Sequence, residues 1–147
     1  MCDETESLKH YGEAGGWIDL LGVAAAFHDV GIWLDGTWDY LAPSRARAAE
    51  FLGEQGQEDW TEAVDLIIEW HHKQTRYRGA HDILVETFRR SDLIDVSLGL
   101  VRFGLGRKTL REIQKTFPNL GFHWMLVKGI GGHMLTHPLK PLPMFRV

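Results

Sequence analysis

Trp17-Ile18-Asp19-Leu20-Leu21-Gly22-Val23-Ala24-Ala25-Ala26-Phe27-His28-Asp29 is the stretch that decides the fold class. Ile18, Leu21, Gly22, Ala25 and Ala26 recur at helical spacing, and alanine has the highest helix propensity of any residue. The pattern predicts a helix from about Trp17 that delivers His28 and Asp29 at its C-terminal end, where Val30-Gly31 turns the chain away.

Further along, the same period recurs. Asp35-Gly36-Thr37-Trp38-Asp39-Tyr40 has the chemistry of a loop, and Pro43 suits the first turn of a helix running to about Leu52. Ala63, Leu66, Ile67 and Trp70 form one stripe of a helix from about Asp59 to His72. The longest helix is expected from Asp82 to Phe103, carrying Ile83, Leu84, Phe88, Ile94, Leu98 and Val101, with two more near Lys108 to Phe117 and Phe122 to Lys128. No stretch alternates with period two. The expectation is an all-α compact bundle of five or six helices over residues 17–137, after a loose segment at 1–16 and before an extended proline-bearing tail at 138–147.

Composition bounds the function. The 147 residues are 44% apolar and 24% charged, the balance of an ordinary globular domain, and a chain this long folds without a structural metal. The formal charge is −4 and the basic residues are scattered, which argues against a nucleic-acid-binding module. Cys2 is the only cysteine, so neither an intrachain disulfide nor a thiolate zinc cluster can form. The apolar run from Trp17 to Phe27 is broken by Asp19 and reads as too short to span a bilayer. Nothing at the N-terminus has the basic-then-apolar layout of a signal peptide, so the default expectation is a cytoplasmic protein without a membrane partner.

Three clusters carry candidate chemistry. In His28-Asp29, imidazole nitrogen and carboxylate oxygen suit a divalent ion, although a histidine at a helix C-terminus also serves simply to meet the dipole. Glu69-Trp70-His71-His72-Lys73 ends another helix; neighbours there diverge by roughly 100°, so the pair either flanks a site or divides into one core and one surface histidine. Asp92 and Asp95 share a face of the longest helix with Phe88 and Gly99. Carboxylates turned toward apolar neighbours call for a metal or for salt bridges to Arg89, Lys73 or Arg102. His81, His123, His133 and His137 share no spacing and read as surface or packing residues, and the six tryptophans as core and pocket walls.

The order His28-Asp29, His71-His72 and then Asp92 within a long helix resembles the HD-domain superfamily of metal-dependent phosphohydrolases, over about residues 17–104. Ala24-Ala25-Ala26-Phe27-His28-Asp29-Val30-Gly31-Ile32-Trp33, Asp39-Tyr40-Leu41-Ala42-Pro43-Ser44, Glu69-Trp70-His71-His72-Lys73 and the closing Pro141-Leu142-Pro143-Met144-Phe145 are similar to an uncharacterised bacterial subgroup of it. The resemblance implies a helical bundle holding one divalent metal (Mn, Fe, Zn, Co, Ni or Mg) on His28, Asp29 and Asp92, with Asp95 supporting Asp92 from behind.

By the same resemblance, His71 and His72 fall where some members hold a second metal or bind substrate phosphate; Asp29, His71 and His72 are the catalytic candidates, and Lys73, Arg76, Arg45 and Tyr40 are expected to contact a small phosphorylated substrate such as a nucleotide. The loop from Asp35 to Ser44 is expected to border the pocket. Two departures stand out: the family's first histidine ligand lacks a clear counterpart, since His10 sits in a glycine-bearing stretch, and Pro43-Ser44-Arg45 stands where dinuclear members have a further histidine. These leave a second function open, a metal- or ligand-binding regulatory domain with impaired catalysis. An oligomer is compatible with either.

Overall fold

The computed structural model describes residues 16–118 together with 121, 123, 124, 127–129 and 131. Within these the chain is all-α, with six helices and no strand. They are α1 (Gly16–Phe27), α2 (Val30–Leu34), α3 (Leu41–Glu54), α4 (Thr61–Trp70), α5 (Asp82–Val96) and α6 (Arg107–Thr116), with a 3-10 turn at Glu58–Trp60 leading into α4. The expected loose segment 1–16, apart from Gly16, which begins α1, and the expected tail 138–147 lie outside the described residues, and with them His10, His133 and His137; so does Phe122, although 123–124 and 127–129 are helical.

The core forms where α1, α3, α4 and α5 meet, and α3 packs most extensively against α4. Ala24, Ala48 and Ala63 are fully buried on three different helices, so backbones approach closely and Leu20, Leu52, Ile67 and Ile68 fill the space between them. Leu20 and Ala24 are four apart on α1, as are Ser44, Ala48 and Leu52 on α3, the spacing of one helix face. Burying side chains of this size contributes roughly 1.5–3 kcal/mol each for Leu and Ile.

Several sequence expectations need correction. The face of α1 that goes inward is Leu20 and Ala24, whereas Ile18 is 55% exposed and Gly22, Ala25 and Ala26 also face outward. This helix is apolar almost all the way round, so periodicity alone could not orient it. A turn at His28-Asp29 then starts the unanticipated α2, so the apolar stretch is longer than Trp17 to Phe27. By length and composition alone Gly16–Leu34, 19 residues with mean hydropathy 1.3, is long and apolar enough to cross a membrane, which overturns the reading of it as too short.

The longest helix stops at Val96 rather than at Phe103. The Gly99 amide bonds to Ile94 C=O and the Leu98 amide to Asp95 C=O, both at 2.8 Å. With Leu98 at φ 53 and Gly99 at φ 77, this is a Schellman ending that satisfies two carbonyls of the last turn. Leu98 and Val101, expected on the helix stripe, are consequently exposed beyond its end.

One close approach fixes the site's frame. Gly31 is buried on α2, and a Cβ there would lie 2.8 Å from Tyr40 C=O and 3.2 Å from the Pro43 side chain. Its amide donates to Ser44 Oγ at 3.0 Å, tying the turn after His28-Asp29 to the start of α3.

Candidate metal centre

Two histidines reach the centre of the bundle from helix ends, and each is oriented by the helix that carries it. His28 Nδ1 lies 2.8 Å from Ala25 C=O, and His71 Nδ1 lies 2.6 Å from Ile68 C=O. These are unsatisfied carbonyls of the last turns of α1 and α4, so each ring donates Nδ1–H to one of them. That tautomer leaves both Nε2 lone pairs free. A backbone partner on the second ring nitrogen is the usual arrangement behind a metal-binding histidine.

Both Nε2 atoms face Asp29. His28 Nε2 is 3.3 Å from Asp29 Oδ2 and His71 Nε2 is 3.5 Å from Asp29 Oδ1. One ligand atom from each of His28, Asp29 and His71 lies within 4.8 Å of the other two, so this group could hold a metal ion. Asp29 Oδ1 and His71 Nε2 are buried, and neither has a hydrogen-bond partner among the described residues. Orphaned buried polar atoms are costly, and a divalent cation between two imidazole nitrogens and a carboxylate would satisfy both.

The electrostatics agree with a carboxylate kept ionised. Burial works against its charge, yet the His28 and His71 rings beside it hold the Asp29 carboxyl far below the usual carboxylate range. Burial likewise opposes protonation of His28, but the Asp29 carboxylate outweighs it and raises the imidazole. His72 goes the other way: desolvation, reinforced by His71, lowers it to about 3, so its ring is neutral at physiological pH.

His72 and Asp92 form the adjoining wall. His72 Nε2 is hydrogen-bonded to the hydroxyl of Tyr40, a residue 1% exposed, and its Nδ1 is 3.9 Å from Asp92 Oδ2. Burial pushes the Asp92 carboxyl up, His71 and His28 pull it back, and Asp29 and Asp95 repel its charge. Burial, then the Asp29 and Asp92 charges, hold the Tyr40 phenol in its protonated form. The Phe88 ring closes the cluster on its apolar side, 5.5 Å from the His28 ring and 6.4 Å from that of His71.

The sequence-selected residues therefore divide. His28, Asp29, Tyr40, His71, His72 and Asp92 come together. It is His71, assigned from sequence to catalysis, that joins His28 and Asp29 in the compact group, while Asp92 adjoins through His72. Asp95 is exposed and acts on Asp92 by like-charge repulsion. Arg45 gives two bonds to Asp65, at 2.6 and 2.7 Å, and one to Glu69 at 2.6 Å, so its charge is neutralised between α3 and α4. Arg76 lines a separate polar cleft with Asp82, Glu86 and Arg90, and the Lys73 backbone carbonyl accepts from Arg89 Nη1 at 3.1 Å.

Of the loop from Asp35 to Ser44, Tyr40 and Ser44 turn inward whereas Asp35 pairs with Arg47 on the surface. Sequence reading missed two contributors. Ser44 is fully buried and anchors Gly31; its place beside Pro43 in the first turn of α3 was the available signal. Glu86 and Arg89 form a buried pair at 2.7 Å that clasps the segment after His71-His72 through Tyr77 N and Lys73 C=O. No family model, curated protein or solved structure matches this chain.

Proposed function

We propose that this protein is a metal-dependent phosphohydrolase acting on a nucleotide or another small phosphate ester. The observation that carries the reading is the convergence of His28 Nε2, His71 Nε2 and the Asp29 carboxylate, with two buried polar atoms left unpartnered. The ordered resemblance to HD-domain phosphohydrolases supports it from the sequence side. One divalent ion, of the kind that imidazole and carboxylate favour, would be held by His28, Asp29 and His71, with Asp92 beside them. When bound, such an ion lowers the pKa of a coordinated water and polarises a phosphoryl oxygen.

The protein's own groups supply the rest. Asp29, kept ionised, offers a proton acceptor to a water next to it. Tyr40 O–H stays protonated and shares one hydrogen bond with neutral His72, which leaves the pair a single further donor for a phosphate oxygen and adds no charge. Phe88 keeps the opposite side apolar and limits water. Lys73, next to His72 in the chain, is the cation proposed to attract the anionic substrate.

The test is a phosphatase assay of the full chain on a nucleoside-monophosphate panel with Mn, Co, Ni and Mg. The expected result is weak activity that rises with added metal and is abolished in Asp29→Ala and Asp92→Ala. Equal activity in wild type and Asp29→Ala would overturn the reading. Metal binding without turnover under any condition would leave a metal- or ligand-binding regulatory domain instead.

A further inference from the structure

The basic residues are scattered along the chain, but the acidic ones are not. Up to Asp95 the sequence carries eight Lys or Arg and nineteen Asp or Glu; after it there are eight Lys or Arg and Glu112 alone. A molecule of net charge −4 thus ends in a strongly cationic third. Such asymmetry points to an anionic partner.

Four of the earlier cations are neutralised in the structure. Arg45, Arg47, Arg89 and Arg90 each pair with a carboxylate. On α6, by contrast, Arg107, Lys108, Arg111 and Lys115 are all exposed, and none makes an ion pair among the described residues. Helical geometry places these four along one side of α6 and Leu110, Ile113 and Phe117 along the other. The helix has no buried residue.

Its apolar side is not closed off. With Ile94 and Leu105 it lines an open cleft of about 200 Å³ between α5 and α6. Within it Phe117 is 75% exposed, and beside it Leu100, which follows the Gly99 that lies against the Leu110 side chain, is 88% exposed; farther along the chain Trp124 is 64% and Val127 62% exposed. Lys128 lies over the Trp124 ring at 5.2 Å. Large apolar groups and an aromatic ring beside unpaired cations match the interface of an anionic bilayer, where apolar side chains enter the acyl boundary and cations meet the headgroups. A nucleic acid would use the cations but leave those side chains in water.

We propose that the α6 face, with Leu100, Leu105 and Phe117 beside its cations, docks peripherally on a membrane surface rich in anionic lipid. The proposal is independent of the phosphohydrolase reading, because none of its residues belongs to the His28–Asp29–His71 group.

The test is co-sedimentation of the full chain with vesicles of neutral phosphatidylcholine and with vesicles containing phosphatidylserine, at two salt concentrations, alongside a duplex DNA and a single-stranded RNA. The expected outcome is binding to the anionic vesicles that weakens with salt, with tryptophan emission shifted to the blue. Each cation near an anionic surface contributes about fivefold in affinity, so Arg107→Gln/Lys108→Gln/Arg111→Gln together should bind about a hundredfold more weakly. Phe117→Ser should weaken binding and leave its salt dependence in place. Circular dichroism on each variant confirms folding, and Arg47→Gln, altering a paired surface cation, should bind like wild type. Equal affinity for neutral vesicles, no affinity for either kind, or tighter binding to DNA or RNA than to anionic vesicles would each overturn the proposal.

Discussion

The buried pair Glu86–Arg89 shows how a single side chain supports the centre without belonging to it. Glu86 is 7% exposed and Arg89 4%; together they tie Tyr77 N and Lys73 C=O to α5 and so hold the chain just after His71-His72. The Arg89 guanidinium, against the cost of burial, holds the Glu86 carboxyl at about 2, below its ordinary 4.5. A depressed carboxyl stabilises the folded state fully above its unfolded pKa and loses that contribution as pH falls through the folded one. Glu86→Gln should therefore cost about 3 kcal/mol at pH 7, because Arg89 is left buried without a counterion. Denaturant unfolding from pH 7 to pH 2 should show the gap to wild type closing below about pH 4.5; a gap that stayed constant would mean that the carboxylate charge is not what matters. Neither residue was legible as structural from sequence, since Arg89 reads equally well as a salt-bridge partner for Asp92 or Asp95. His28, Asp29, His71, His72 and Asp92 were legible because metal chemistry restricts residue types and their order along the chain. The choice of His71 over Asp92 as the third member was not, because it depends on where two helices end.

Helices announced themselves by period, and their ends were set by local chemistry that period does not report. Of the α4 stripe read as Ala63, Leu66, Ile67 and Trp70, Ala63 and Ile67 are buried and Leu66 and Trp70 half-buried, while Val64 and Ile68 complete the inward face. On α1 nearly every residue is apolar, and only packing against α3 and α4 selects Leu20 and Ala24. The end of α5 is the clearest case: apolar spacing continues to Val101 and Phe103, yet the Schellman bonds at 98–99 close the helix first. There Leu98 takes the left-handed conformation usually given to glycine, at φ 53 and 61% exposed. That conformation costs an L-residue roughly 1–2 kcal/mol, and little burial is lost on removing the side chain. Leu98→Gly should stabilise the protein by about 0.5–1 kcal/mol after the added entropy of the unfolded chain is allowed for. A raised denaturation midpoint checks it, and a lowered one would show that Leu98 contributes packing.

At the scale of the whole molecule, five helices bring four separate sequence clusters to one point. His28-Asp29 arrives between α1 and α2, Tyr40 and Ser44 at the start of α3, His71-His72 after α4, and Asp92 on the face of α5. No segment shorter than residues 28–92 contains the whole cluster, so binding at the centre must couple to global folding. A ligand that binds only the folded chain raises its apparent stability with concentration, and metal should raise the melting temperature of wild type but not of His71→Ala. An ion between His28, Asp29 and His71 is the central expectation. The most direct measurement is calorimetric titration of the metal-free full chain with Co or Mn, beside the double variant His28→Ala/His71→Ala and a surface control, Arg47→Gln. The expected result is one ion per chain for wild type and for the control, and no measurable binding for the double variant with its helical content retained. Equal affinity in wild type and the double variant, or no binding by wild type, would contradict it.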